Sequence, residues 1–424
     1  VADLVFAFDP AIDRPIPSPD ALPPALAEAL ARAPLEALAA TFSEARRGAA
    51  VAVVICGRLL DPGRASPAQA AAVRRLVIDA AADGCRTVVV LHDAAHRHEL
   101  ARMLGDPPSL SFVTSAAGVD LDVRGLAVEI VSAFDATAGD LPDPQAAALH
   151  RRIVVGWDHG LWHGMADGSP PAADEPDATL VEHPRDAFSY APTAAAAHPH
   201  AFWLWGSRRC QMLPPGVHHL PALQPRSGHE GSAGACCRLT LVNRADTVDG
   251  AAAVRPEWRS SWREHVTQRV GWRTLTVESP TGGDEELATA IWSAMEALVP
   301  AGRTTSGDAA TVLELVRCAV ACGTNVARRV RVGEIASETL ARVRQLYDAR
   351  SFPIWCTEVF ADVSESLGPL GHARSGSRPG STTSFSSALA DIVTAIEEAD
   401  EPLIPPALAR EAGWMGLELV ESTD

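Results

Sequence analysis

The sequence contains no lysine and only two asparagines, so all 36 basic residues are arginine. With arginine carrying every positive charge, one isolated arginine is weak evidence of bidentate recognition. Positive charge is also in deficit. The 53 acidic residues leave a formal net charge of −17, which argues against a stand-alone nucleic-acid binder with a basic face. No run of 18 or more apolar residues occurs, so no membrane-spanning helix is expected and a membrane partner is excluded. The opening VADLVFAFDP has neither a basic stretch nor a cleavage site. No secretion signal is expected, and the expected location is cytoplasmic. The eight cysteines form no CxxC pair. Cys56 and Cys85 lie in apolar, strand-like runs, and Cys318 and Cys322 are spaced one helical turn apart. Reduced core thiols are expected rather than metal or disulfide roles. What is present is a globular composition, 47% hydrophobic and 21% charged over 424 residues. That excludes disorder for the bulk of the chain and suits two or three domains.

Apolar runs alternate with helical patterns in the first third. LVFAF at 4–8 reads as a buried strand ending at Asp9. An Ala- and Leu-rich helix is expected over about 24–47, and VAVVIC at 51–56 as a second strand ending at Gly57. Pro67 opens another helix, which stops at Gly84; TVVVL at 87–91 is a third strand, ending at His92 and Asp93. This order predicts a parallel sheet with right-handed crossovers, and sites are built at the C-terminal edge of such a sheet.

More strands are expected at 110–114, 126–131, 152–157, 201–205 and 237–242, with 165–200 a Pro-, Ala- and Asp-rich excursion. A small α+β domain follows. Its expected elements are a strand at 272–278, helices at 284–298 and 308–322, a strand at 327–332, a helix at 336–348 and a strand at 354–360. Residues 364–387 read as a flexible Gly-, Ser- and Pro-rich linker. The tail, 388–424, returns to amphipathic helix through Leu389, Ile392, Val393 and Ile396.

Several constellations have competing readings. His92, Asp93, His96 and His98 suggest a metal site, but His96 and His98 point to different faces in a helix or strand, which favours a solvated loop. Trp203 and Trp205 could stack bases, yet they sit in an apolar strand, which favours packing. HHLP at 218–221 and the Cys236–Cys237 pair read as structural.

In chain order, the segments after the strands are DPAIDRPI (9–16), GRLLD (57–61), His92-Asp93-Ala94-Ala95, and Gly206-Ser207-Arg208-Arg209 after AFWLW. LPALQPRSGHEGSAGACCRLTLV follows at 220–242. This series resembles the calcineurin-like metallophosphoesterases, specifically the SbcD and YhaO-like DNA repair exonucleases. The resemblance implies an α/β fold: a metallophosphoesterase sandwich of mixed sheets flanked by helices (1–245) and a connector (246–271). A small α+β capping domain (272–363), the linker and C-terminal helices would follow.

The same resemblance shows the chemistry eroded. Asp9 matches the first metal ligand, but the paired His position holds Ala11. The carboxylate that bridges both metals has become Arg58. Asp93 stands where the family has an Asn ligand, and the catalytic His position is Ala94. Both histidines of the Gly-His-x-His motif are lost at 206–209. A further ligand position falls in RIVVGWDHGLWHG (152–164), at Asp158 or His159. The vestigial metal ligands are therefore Asp9, Asp93 and His159.

Two-metal hydrolysis needs the bridging carboxylate, complete ligand shells and a general acid. An arginine about 4 Å from a divalent ion repels it by roughly 8 kcal/mol at an effective dielectric of about 20. No cofactor is expected and no intact catalytic residue remains. The implied role is a structural or regulatory partner of an SMC-like coiled-coil ATPase in DNA processing. The C-terminal tail would make the contact, with DNA engaged only within that complex and a homodimer possible. Two alternatives stay open. One is an active phosphodiesterase or nuclease with a reduced site for Mn or a similar divalent metal. The other is an anion-binding module gripping phosphate through Arg58, Arg208 and Arg209.

Overall fold

In the computed structural model the described residues are 2–17, 22–91, 95–114, 118–132, 151–157, 201–208, 213, 216–227, 230, 233–244, 257–278, 284–298, 313–321, 325–331, 333–348 and 354–362. The linker at 364–387, the tail, the 165–200 excursion and residues 92–94, 158, 159 and 209 lie outside them.

The chain is α/β with mixed sheets and helices. Strand β1 (Ala2–Phe8) is followed by α1 (Pro24–Arg47), β2 (Ala52–Cys56), α2 (Pro67–Ala82), β3 (Arg86–Val90), α3 (Ala95–Leu104) and β4 (Leu110–Val113). A second group follows: β5 (Val119–Val123), β6 (Leu126–Ser132), β7 (Arg151–Trp157), β8 (Phe202–Ser207) and β9 (Val217–Pro221). Strands β10 (Ala235–Arg244) and β11 (Glu257–Val266) return to the first sheet, whose order is β11-β10-β1-β2-β3-β4. The second sheet runs β5-β6-β7-β8-β9. Strands β1 to β4 are parallel, and β10 pairs antiparallel with β1 and β11.

Both faces of β1 are covered, which is why its sequence is continuously apolar. Leu4, Phe6 and Phe8 face the second sheet and join Val128, Ile130, Ile153, Val155 and Leu204 in one core. Val5 and Ala7 face the other way, onto Leu38 and Phe42 of α1 and Val73 and Val77 of α2. Each of these side chains larger than alanine contributes about 1.5–3 kcal/mol on full burial. Helix α2 begins as its sequence requires. Ser66 and Gln69 form a reciprocal capping box ahead of Pro67, and Gly84 (φ +78°) ends the exit turn. Trp203 and Trp205, each 2% exposed, are packing residues. His96 and His98 are exposed on α3, a helix where a loop was expected.

Chain contacts divide the protein into two units, 1–271 with 305–313, and 272–304 with 314–424. Apart from Val270, Gly271 and Leu313, the second holds a sheet of order β12-β13-β14 (Val270–Val277, Leu313–Ala321, Ile354–Asp362) and helices α4 (Asp284–Ala297), α5 (Asn325–Arg331) and α6 (Ala336–Asp348). Two expectations fail here. Residues 313–321 are a strand rather than part of a helix, and 325–331 are a helix rather than a strand. The residues expected as a connector include β11 and the start of β12. Cys318 therefore lies on β13, with its Sγ 3.8 Å from Cys356 on β14. Six cysteines, Cys56, Cys85, Cys236, Cys237, Cys318 and Cys356, are free and buried. Among the described residues no helix is long and apolar enough to cross a membrane.

Candidate functional site

The site forms where β1, β2 and β8 end. The chain beyond β1 and β2 keeps a parallel pairing for several residues. Asp9 N donates to Cys56 O at 2.8 Å, Ala11 N to Arg58 O at 2.8 Å and Ile12 N to Leu59 O at 3.1 Å. To turn there, Asp9 (φ +49°) and Ala11 (φ +42°) adopt left-handed backbone, as does Gly57 (φ +81°). For Ala11 such a conformation costs about 1 kcal/mol or more, held by the surrounding bonds. The pairing sets Arg58 beside Asp9.

Strand β8 is brought close by a glycine. A Cβ on Gly206 would stand 2.5 Å from the Phe8 ring, so only glycine lets the end of β8 lie against β1 here. Arg208 follows two residues later and reaches Asp9. Its Nε donates to Asp9 Oδ2 at 2.9 Å, and Nη2 donates to the same oxygen. Its Nη1 donates to both oxygens of Glu230 at 3.0 Å. On the other side of Asp9, Arg58 Nε lies 3.5 Å from Oδ1. Both oxygens of a carboxylate only 2% exposed are thus engaged by guanidinium groups.

A second arginine network locks the loop after β1. Arg226 donates through Nη2 to Ala11 O at 2.7 Å and through Nη1 to Pro15 O at 3.2 Å and to Arg14 O. Its backbone N–H donates to Glu230 Oε1 at 3.0 Å. Asp13, also on this loop, accepts from Asp61 N at 3.1 Å.

The electrostatics follow from burial and crowding. Burial pulls Arg208 down, but Asp9 and Glu230 more than offset it, so its proton is held more tightly than usual. Burial pushes Arg58 down, and Arg14 and Arg208 add to that against the pull of Asp9. Arg226 is pushed down by burial and then by Arg208. Guanidinium groups do not deprotonate in proteins, so these downward shifts measure first the cost of burying the cations and then that of placing them near one another. Burial raises Glu230 above the ordinary carboxylate range, with Arg208 opposing it.

The sequence placed Asp9, Arg58 and Asp93 at one sheet edge. Asp9 and Arg58 meet there; Asp93, Ala94 and His159 lie outside the described residues. Glu230 and Arg226 were not singled out from sequence, and the pairing of Arg208 with Asp9 was not foreseen. The one available signal was that Arg208 lies directly after the apolar run of β8, between Ser207 and Arg209, the two positions where the resemblance expects histidines.

The described residues do not fit a divalent cation. Both oxygens of Asp9 are engaged by the guanidiniums of Arg58 and Arg208. Among the described residues no group of three or more His, Cys, Asp or Glu could hold a metal ion. The arrangement can hold charge and lock loops. Among the described residues the groups in contact with Asp9 are two arginines, neither a nucleophile nor a general acid.

No protein-family description matches the chain, and no curated protein matches it. Solved structures similar to it include the crystal structure of TT1561 of Thermus thermophilus. That chain is 14% identical, the match covers 53% of this chain and 90% of that one, and the TM-score is 0.30.

Proposed function

We propose that this chain is a catalytically degenerate homologue of the SbcD and YhaO-like exonuclease subunit. It acts as a structural or regulatory partner of an SMC-like ATPase in DNA processing. One observation carries the degenerate part of this reading: the Asp9 carboxylate is spent on Arg58 and Arg208. An ion pair of this kind replaces the metal's charge and keeps the loop architecture of the fold without its chemistry. The rival reading, an enzyme using Mn at Asp9, Asp93 and Asp158 or His159, needs Asp9 released from both guanidiniums.

The partner contact is assigned to the tail. Ile392, Ile396 and Trp414 are the proposed anchors of a helix-in-groove interaction, carried on the linker at 364–387. The linker's composition gives a reach of roughly 27 Å as a flexible coil. The test is co-purification with a coiled-coil ATPase encoded beside this chain, using the full chain and a version ending at Ser387. Recovery only with the full chain supports the reading. Equal recovery with both, or a dimer of this chain that depends on the tail and excludes the ATPase, overturns the tail assignment.

A further inference from the structure

We infer that β11 is a self-association edge, pairing antiparallel with β11 of a second copy about a two-fold axis at Trp262. β11 ends the sheet of order β11-β10-β1-β2-β3-β4, and among the described residues no strand pairs with its other side. Its ten residues run in continuous register with β10, with no bulge and no proline. An edge of that length presents roughly 34 Å of backbone to a further strand. Long edges template pairing unless they are shortened, bulged or blocked by proline. The opposite edge of the same sheet is shortened, since β4 has only four residues.

Symmetry and charge fix the occupant and the register. Antiparallel neighbours related by a two-fold axis have that axis normal to the sheet, so both copies turn the same face to the same side. Directly opposite residues of an antiparallel pair also face the same side, so the axis passes through a residue. Ser260, Ser261, Arg263 and Glu264 are exposed. An axis at Arg263 or Glu264 sets like charges directly opposite, and one at Ser261 sets Arg263 against residue 259, also arginine. An axis at Trp262 sets Ser261 opposite Arg263 and Ser260 opposite Glu264, so each of these charges meets a hydroxyl of the second copy. Arg263 gains most, because its neighbour within the sheet is another cation, Arg238. At the axis Trp262 meets Trp262 of the second copy. Its ring is already held by Phe6, Phe202 and His218, with centroids 5.9, 5.8 and 5.7 Å away, so an aromatic pair there costs little ordering. Val266, 48% exposed, lies within the stretch that pairs, 258–266.

The experiment is sedimentation velocity of the full chain across the micromolar range, where a monomer–dimer equilibrium is expected. Ser261→Arg puts arginine opposite Arg263 at two symmetric places and should weaken the dimer by roughly 3–30-fold. Ser260→Glu, opposite Glu264, should weaken it similarly. Ser261→Arg combined with Arg263→Glu should restore it, because each pair then joins opposite charges. These residues are exposed, so Tm should stay within about 2 °C of wild type, which separates lost pairing from lost folding. A version ending at Ser387 should dimerise as the full chain does. A chain that stays monomeric throughout overturns the inference. So does a dimer indifferent to both single substitutions, or a double variant no tighter than Ser261→Arg. A dimer that disappears in the version ending at Ser387 assigns the association to the tail and overturns the β11 pairing.

Discussion

Replacing Arg208 with methionine removes the cation while keeping a long apolar stem. Asp9 Oδ2 then loses both of its bonds to Arg208, and Glu230 loses its two bonds at 3.0 Å. Both carboxylates stay largely out of water, with side chains 2% and 12% exposed. Removing one partner of a buried ion pair costs about 3–5 kcal/mol, most of it from the charge left behind. For a unit of this size that lowers Tm by about 2–4 °C per kcal/mol, or roughly 6–20 °C in all. The sign of the pH dependence follows. Burial already raises Glu230 against the pull of Arg208, so without that arginine Glu230 sits further above its unfolded value and destabilises the fold at neutral pH. That penalty shrinks as Glu230 takes up a proton. The deficit of Arg208→Met relative to wild type should therefore be largest near pH 7.5 and smaller near pH 5, measured by urea denaturation. Asp9→Asn combined with Arg208→Met should recover part of the loss, because both sides of the pair are then neutral. A variant as stable as wild type at pH 7.5, or a deficit that grows on acidification, would refute the reasoning.

Other outcomes follow from the same structure. Gly206→Ala puts a Cβ 2.5 Å from the Phe8 ring and should cost about 1–3 kcal/mol in urea denaturation; Phe8→Leu in the same chain should return part of it. Burial pushes His218 below its usual value, and burial, opposed by Glu44, does the same to His265. The unfolded chain therefore protonates first, and stability should fall as pH drops from about 6.5 through the folded values. His218→Phe should flatten that slope in a Tm-versus-pH series. Gly57→Ala, at φ +81° with a Cβ 3.1 Å from the Phe8 ring, should destabilise by about 1 kcal/mol or more and leave the core composition unchanged.

The parallel half of the first sheet was legible because its strands are buried on both faces and punctuated by Gly57, Pro67 and Gly84. The same property misled at 313–321. LELVRCAVA is buried along nearly its whole length, and a buried parallel strand shares its lack of alternation with a buried helix. At 325–331 a helical signal was present and outweighed: Val326 and Val330, both buried, stand four residues apart on one helix face. Strand β11, EWRSSWREHV, was passed over because its edge position leaves polar residues exposed. At the site, Asp9 and Arg58 were legible as residues following separate apolar runs. Their neighbour was not. Arg208 and Asp9 are 199 residues apart, and Glu230 sits in a Gly- and Ser-rich stretch with no periodic signal. Pairings at that separation depend on how β8 lies against β1, which the Phe8–Gly206 contact decides.

Among the described residues arginine is the counterion of Asp9. The direct measurement is calorimetric titration of the full, EDTA-treated chain with Mn, read beside hydrolysis of a generic phosphodiester in the same buffer. With Asp9 held by Arg58 and Arg208, the expected result is no saturable Mn binding that depends on Asp9 and no Mn-stimulated turnover above a control. Binding of one or two Mn per chain, with turnover that disappears in Asp9→Ala, would contradict it.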